Sequence, residues 1–158
     1  MRALAVGGQG KAMMTTIRSA RGTDASAIAA LSGELGYPAT SEEIGARLIA
    51  IDGTHTACVL VAERAQGVVV GWVHVARAAH LTHDAEAEIL GLIVAAVSRG
   101  AGIGAELLRI AEQWARSQGA ARLGVRSRLE RERAHRFYER AGYRRLKTQA
   151  VFVKPLLD

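Results

Sequence analysis

The chain has 158 residues, 49% of them apolar, which suits one domain whose core closes without disulfides or metals. One cysteine, Cys58, excludes an intrachain disulfide and fits a reducing cytoplasm, and no apolar run approaches the roughly 20 residues that span a bilayer. The formal net charge of +6 favours anionic partners: a phosphorylated cofactor, an acidic substrate or nucleic acid.

Residues 1–15 show neither helical nor strand periodicity and read as a disordered leader, without the long apolar centre of a signal peptide. Within them Gly7-Gly-Gln-Gly-Lys11 falls short of a P-loop, because Ala5 stands at the first glycine position and Ala12 replaces the magnesium-binding hydroxyl. Thr16–Arg18 predicts a short strand. Thr23 or Asp24 then caps a helix carrying Ile28, Leu31 and Leu35 on one face, stopped by Gly36 and Pro38. Thr40 and Glu43 have capping-box spacing before a helix that buries Ile44 and Leu48. Thr56–Ala62 and Val68–Ala76 read as a hairpin turning at Gln66-Gly67. Ala87–Val94 is apolar on both faces and predicts a central strand, with Gly91 marking a bulge.

A glycine-rich loop comes next, and then a helix with Ile103, Leu107, Ile110, Ala111 and Trp114 on one face, closed by Gly119. Leu123 and Val125 belong to another strand, Ala134–Ala141 to a helix stopped by Gly142, and Tyr143–Leu146 and Ala150–Lys154 finish the sheet. No repeat or linker divides this order, so an α+β sheet core over residues 16–158 is expected. The arginines between Arg122 and Arg145 are interleaved with Glu130, Glu132 and Glu139, which suits a solvated helix face as well as an anion-binding patch.

A strand running into Arg99-Gly100-Ala101-Gly102-Ile103-Gly104 and an amphipathic helix has the composition of an anion site. Unpaired N–H groups and the positive end of the helix dipole converge there, glycine allows close approach, and Arg99 adds bidentate donors. A tight turn with no ligand is the alternative. A nicotinamide site is disfavoured: it expects an acidic residue about 20 positions on, where Ala120–Arg126 offers only apolar and basic side chains.

Val94-Ala-Ala-Val-Ser-Arg99-Gly-Ala-Gly-Ile-Gly104 resembles the acetyl-CoA signature of the GNAT superfamily of N-acetyltransferases, Arg or Gln followed by x-x-Gly-x-Gly/Ala. Arg133-Ala-His-Arg-Phe-Tyr138-Glu-Arg-Ala-Gly-Tyr143 resembles the helix and strand beyond the cofactor in that superfamily. The order and separation of the two blocks agree, and the likeness runs from about Thr16 to the C-terminus, nearest to enzymes acting on small-molecule amines such as aminoglycosides and aminoalkylphosphonates.

The resemblance implies a single three-layer α/β domain with a mixed, mostly antiparallel sheet, splayed between the strand ending at Val94 and the strand around Leu123–Val125, and flanked by helices. It implies acetyl-CoA as cofactor, with pantetheine in the gap against backbone groups of Leu92, Ile93 and Val94, and pyrophosphate on Arg99–Gly104. It further implies a small-molecule amine as acceptor. No nucleic acid or membrane partner is expected; dimerisation is common among such proteins.

Transfer needs an unprotonated amine, and an alkylamine with a pKa near 10 is mostly ammonium at neutral pH. Glu88 is the preferred base, with a carboxylate exposed at the strand entrance as its alternative reading; Glu86 shares its face if alternation is unbroken. Many relatives place their acid where this chain has Gly91. Tyr138 matches the superfamily tyrosine that protonates the departing thiolate, and a packed aromatic beside Phe137 is compatible with that role. His135 either contacts the cofactor or caps surface polarity. Where relatives carry Ser-Asn, this chain has Ser127-Arg128, and Arg128 is placed to reach a cofactor phosphate instead. His74, His80 and His83 lack the fixed spacing of a metal site, so no metal is assigned. Two other functions fit the residues: a protein or peptide N-acetyltransferase, and a non-catalytic acyl-CoA- or RNA-binding module. Only 4% of residues are aromatic, which speaks against RNA stacking.

Overall fold

The computed structural model describes residues 14–157. The predicted leader, Met14 and Thr15 apart, lies outside them, as does the rejected Gly7–Lys11 run. The chain divides into two compact units, one ending at Arg126 and one beginning at Ser127.

The first unit holds strands β1 (Thr16–Ser19), β2 (Ala57–Arg64), β3 (Val68–Ala78), β4 (Glu86–Val94) and β5 (Arg122–Val125), with helices α1 (Ala25–Leu35), α2 (Ser41–Asp52) and α3 (Ile103–Ser117). The strands form one sheet in chain order, antiparallel from β1 to β4, with β5 parallel to β4. This is the mixed, mostly antiparallel α+β sheet expected from the sequence. The hairpin between β2 and β3 turns where Gln66 and Gly67 take φ of 65° and 77°, the left-handed pair that matches strand twist.

Alternation divides the sheet into two apolar faces. On one, Val61 packs with Ala25 and Ile28 of α1 and Ile44 of α2, and Val59, Leu48 and Trp72 pack around them. On the other, Leu60, Val73, Val75 and Ile89 are fully buried together with Leu107 and Leu108 of α3. Gly71 belongs to this second face: a Cβ there would lie 3.3 Å from Leu107 Cδ1. Helices thus cover both faces, and β4 carries no charged residue from Ile89 to Val94 for that reason.

The Thr40–Glu43 capping box forms as the spacing predicts: Glu43 N–H donates to Thr40 Oγ1 at 3.2 Å, and Thr40 N–H donates to Glu43 Oε2 at 2.8 Å. The cap assigned to α1 is different. Asp24 occupies the N-cap position without a side-chain bond to the helix. Its carboxylate turns back instead, accepting from Arg21 N–H at 2.7 Å and from both terminal nitrogens of Arg18 at 2.7 and 2.9 Å. Arg18 Nε also donates to Glu63 Oε2 at 2.6 Å, so one guanidinium joins β1, β2 and the entry to α1.

The second unit contains α4 (Glu132–Arg140), which ends at Gly142 with φ of 91°. The strands predicted at Tyr143–Leu146 and Ala150–Lys154 do not form; residues 143–157 carry no regular structure. Val151, Phe152 and Val153 are 81%, 91% and 88% exposed. Strand preference expresses fit to a neighbouring strand, and among the described residues no strand pairs with Ala150–Lys154.

The hydrogen bonds from Arg18, and then that from Arg21 N–H, hold the Asp24 carboxyl below the usual range although burial opposes them. A depressed folded-state value contributes stability that is complete above about pH 4 and lost as pH falls through the folded value. Asp24→Asn is expected to lower unfolding free energy by about 2–3 kcal/mol at pH 7, with the gap to the parent protein narrowing as pH falls below about 4, towards pH 3 and lower. Urea titrations at both pH values measure this; equal stability at pH 7 would refute it.

Candidate active site

The site begins with an irregularity in β4. His74 pairs with Gly91 but Val75 pairs with Ile89, which leaves Leu90 as an extra residue: a β-bulge at the position that Gly91 flags in the sequence. Glycine is required here for space. A Cβ on Gly91 would lie 2.6 Å from Cη2 of Trp72, whose ring lies across the strand. The location where relatives of this sequence pattern carry their acid is thus filled by an indole.

The bulge coincides with the parting of two strands. β5 pairs with β4 only from Glu86 to Ile89, opposite Arg122 to Val125, and from Leu90 to Val94 the β5 side of β4 has no strand partner among the described residues. This is the splay expected between these strands. Ala95 N–H donates to Val70 O at 2.8 Å, so by alternation the backbone groups of Ile93 also turn to β3, whereas those of Leu92 and Val94 face the open side. Of the three residues expected to meet pantetheine, Leu92 and Val94 present backbone groups on the open side, and Ile93 directs its N–H and C=O into the β3 ladder. Val94 O accepts from Arg99 Nε at 3.0 Å, which ties the loop's arginine to the strand end.

Immediately beyond lies the glycine loop. Gly100 and Gly102 adopt φ of 82° and 77°, with nothing within 4 Å of an added Cβ at either. Arg99 N–H donates to Ala96 O at 3.4 Å and Glu106 N–H opens the helical ladder on Gly102 O at 3.0 Å. Among the described residues, the N–H groups of Gly100, Ala101 and Gly102 have no backbone acceptor. Those of Ile103 and Gly104 belong to the first turn of α3, where an α-helix supplies none. Successive amides without backbone acceptors at the N-terminus of a 15-residue helix are a donor arrangement with positive potential, which suits an anion. Ala96 N–H donates to Glu34 Oε2 of α1 at 3.3 Å, which anchors the turn before the loop.

Glu86 and Glu88 lie on the face of β4 that also carries Gly91, opposite Ala78 and Ala76 of β3, while Ala87 between them and Ile89 after them are buried on the other face. Each is paired to a basic residue: Glu86 to Arg122, and Glu88 to Arg126 at 3.4 Å. On the same face, His74, Trp72, Ser32, Ile44 and Arg47 line a cavity of about 80 Å³ between the sheet, α1 and α2. Burial lowers the pKa of His74, keeping it neutral, and pushes the Cys58 thiol up to about 12, so neither offers a charge at neutral pH.

In the second unit Tyr138 stacks edge-on between Phe137 and Tyr143, with ring centroids 5.1 and 5.6 Å away. Burial pushes its phenol up to about 12, against a smaller opposing effect of Arg131, so the hydroxyl stays protonated across the neutral range. His135 Nε2 lies 2.9 Å from Arg128 O and its Nδ1 lies 3.2 Å from a terminal nitrogen of Arg145. Arg145 can only donate, so the network assigns the neutral tautomer with hydrogen on Nε2. Both ring nitrogens of His135 are thereby occupied in fixing the turn at Arg128, whose side chain is exposed.

The first unit thus brings together Glu88, Leu92, Val94, Arg99 and the loop from Gly100 to Gly104, and the second groups Arg128, His135 and Tyr138. Trp72 and Glu34 went unrecognised in the sequence. A single tryptophan in an apolar strand reads as core, and Glu34 carries no motif.

These features define a family. Residues 25–143 match the model of the acetyltransferase (GNAT) family, and the chain belongs to it. Over 79 residues it is 40% identical to aminoalkylphosphonate N-acetyltransferase from Salmonella typhimurium, a match covering 49% of this chain and 51% of that protein; the chain therefore aligns with about half of that relative. Among solved structures, the aminoglycoside antibiotic 6'-N-acetyltransferase of Acinetobacter baumannii superposes with a TM-score of 0.79 at 16% identity, covering 90% of this chain and 99% of that one. The corresponding enzyme of Acinetobacter haemolyticus gives 0.77 at 15% identity, covering 89% and 98%. An aminoglycoside N-acetyltransferase solved in complex with CoA gives 0.79 at 14%, covering 90% and 95%. At such identities these structures share the fold.

Gly91→Ala forces a methyl group into the Trp72 ring and is expected to lower unfolding free energy by about 1–3 kcal/mol. In a Trp72→Leu background the same substitution should have little effect. Denaturant titrations of the four proteins provide the check, and additive losses would refute the contact.

Proposed function

We propose that this protein transfers the acetyl group of acetyl-CoA to a primary amine of a small molecule by direct attack of the amine on the thioester. The observation that carries this reading is the succession of two donor sets in one stretch of chain: the open edge of β4 at Leu92 and Val94 and, beyond one internally paired turn, the amides of Gly100 to Gly104. One is suited to an extended amide chain, the other to linked phosphates.

In this reading the pyrophosphate lies on the amides of Gly100, Ala101, Gly102, Ile103 and Gly104. The terminal nitrogens of Arg99 reach it while Nε stays on Val94 O. Arg128 supplies a further positive charge for cofactor phosphate, and His135 holds its turn. Pantetheine pairs with the backbone of Leu92 and Val94, and a strand-edge N–H polarises the thioester carbonyl as charge develops on its oxygen. Glu88 accepts the amine proton and attracts the cationic acceptor. The face it shares with Trp72 and the cavity on α1 and α2 receives that acceptor. Tyr138, protonated at all working pH values, donates to the departing thiolate. The Salmonella relative's action on aminoalkylphosphonates supports a small amine as acceptor.

Calorimetric titration is expected to show acetyl-CoA binding to the parent protein and none to Gly102→Asp. That change places a negative charge on the cradle and a side chain at φ of 77°. Tyr138→Phe should retain binding and lose about 10²–10⁴-fold in thiol release with a responsive amine, the usual range for removing a general acid. A parent protein that binds no acyl-CoA would end the proposal.

A further inference from the structure

The loop joining β3 to β4 carries His80 and His83, and the next strand opens with Glu86. The structure gathers all three, with one ligand-type atom from each within 4.8 Å of the others. The two imidazoles are stacked with centroids 4.1 Å apart and planes inclined by 36°, and His83 Nδ1 lies 3.4 Å from Glu86 Oε1. We propose that His80, His83 and Glu86 form a binding site for a divalent transition metal, zinc or a cation of similar preference.

The chemistry of the donors suits that class: two borderline imidazole nitrogens and a carboxylate oxygen are a three-ligand set that leaves a coordination position open. Tetrahedral bonds of 2.0–2.1 Å place ligand atoms about 3.3 Å apart. The His83–Glu86 separation already approaches this, and His80 sits on an irregular loop that can close the remainder. Glu86 is fixed by the pairing of β4 with both neighbours. Arg122 competes for the same carboxylate, and His83 Nδ1 also lies 3.0 Å from Asp84 O. A bound dication displaces both contacts, its double charge acting where Arg122 offers one. The two histidines sit three residues apart on a loop, a spacing that sequence reading takes for chance because no helix or strand fixes it. Metal binding by these residues stands independently of the acetyltransferase reading.

The test uses the full chain, freed of metal with a chelator. Zinc is titrated by calorimetry and cobalt by visible absorption. One equivalent is expected to bind, at least about tenfold more weakly in His83→Ala and in Glu86→Gln and more tightly in Arg122→Ala. His55→Asn, which removes a histidine outside the cluster while tolerating its φ of 56°, should bind as the parent does. Circular dichroism confirms that each variant is folded. Absence of one-equivalent binding, or equal loss in His55→Asn and His83→Ala, would overturn the site and mark the affinity as that of scattered surface histidines.

Discussion

Backbone hydrogen-bonding groups at a sheet edge must find partners, and here β4 loses its β5 neighbour after Ile89. The bulge at Leu90 and the Trp72 ring over Gly91 accompany that parting. The next dozen residues of the chain are arranged to use it. Leu92 and Val94 present their backbone outward, Arg99 folds back on Val94, and two left-handed glycines turn the chain so that the succeeding amides open α3. Two sets of outward donors, one at a strand edge and one at a helix terminus, are thus separated by a turn whose own amides at Ala95, Ala96, Ser98 and Arg99 are paired, on a scaffold covered by helices on both faces.

Electrostatics divides the same unit by side of the sheet. The face toward α1 and α2 carries Glu86 and Glu88, each held by an arginine on or beside β5. The cradle end carries helix-terminus amides and Arg99. In the proposed reading a cationic amine and an anionic cofactor meet different regions of one strand, the amine beside carboxylates already paired to arginines and the cofactor at the helix terminus.

Much of this was legible in the sequence because the relevant signals are local. The Thr40–Glu43 box, the Gln66-Gly67 turn and the two-sided apolar run of β4 each depend on residues a few positions apart, and each forms as read; the glycine loop likewise turns at positive φ into α3. The bulge at Gly91 was legible as a position, but its cause was not, since Trp72 meets it only across the β3–β4 register. Long-range partners explain the other departures. Asp24 stands at the α1 N-cap but gives its carboxylate to Arg18 and to Arg21 N–H, and the Val-Phe-Val segment near the C-terminus has strand chemistry without a strand beside it among the described residues. Ile93 was indistinguishable from Leu92 and Val94 until the ladder to β3 fixed which backbone groups remain outward. The family itself was readable from two motifs whose glycines and aromatics are set by backbone and packing requirements.

Amide resonances report most directly on whether residues 100–104 cradle linked phosphates. In a ¹⁵N-labelled protein, adding CoA should shift the Gly100, Ala101, Gly102, Ile103 and Gly104 amides and protect them from exchange with solvent. Pantetheine, which lacks the pyrophosphate, should leave them in place while moving Leu92 and Val94. CoA binding that leaves all five loop amides unshifted would contradict the cradle and the cofactor pose built on it.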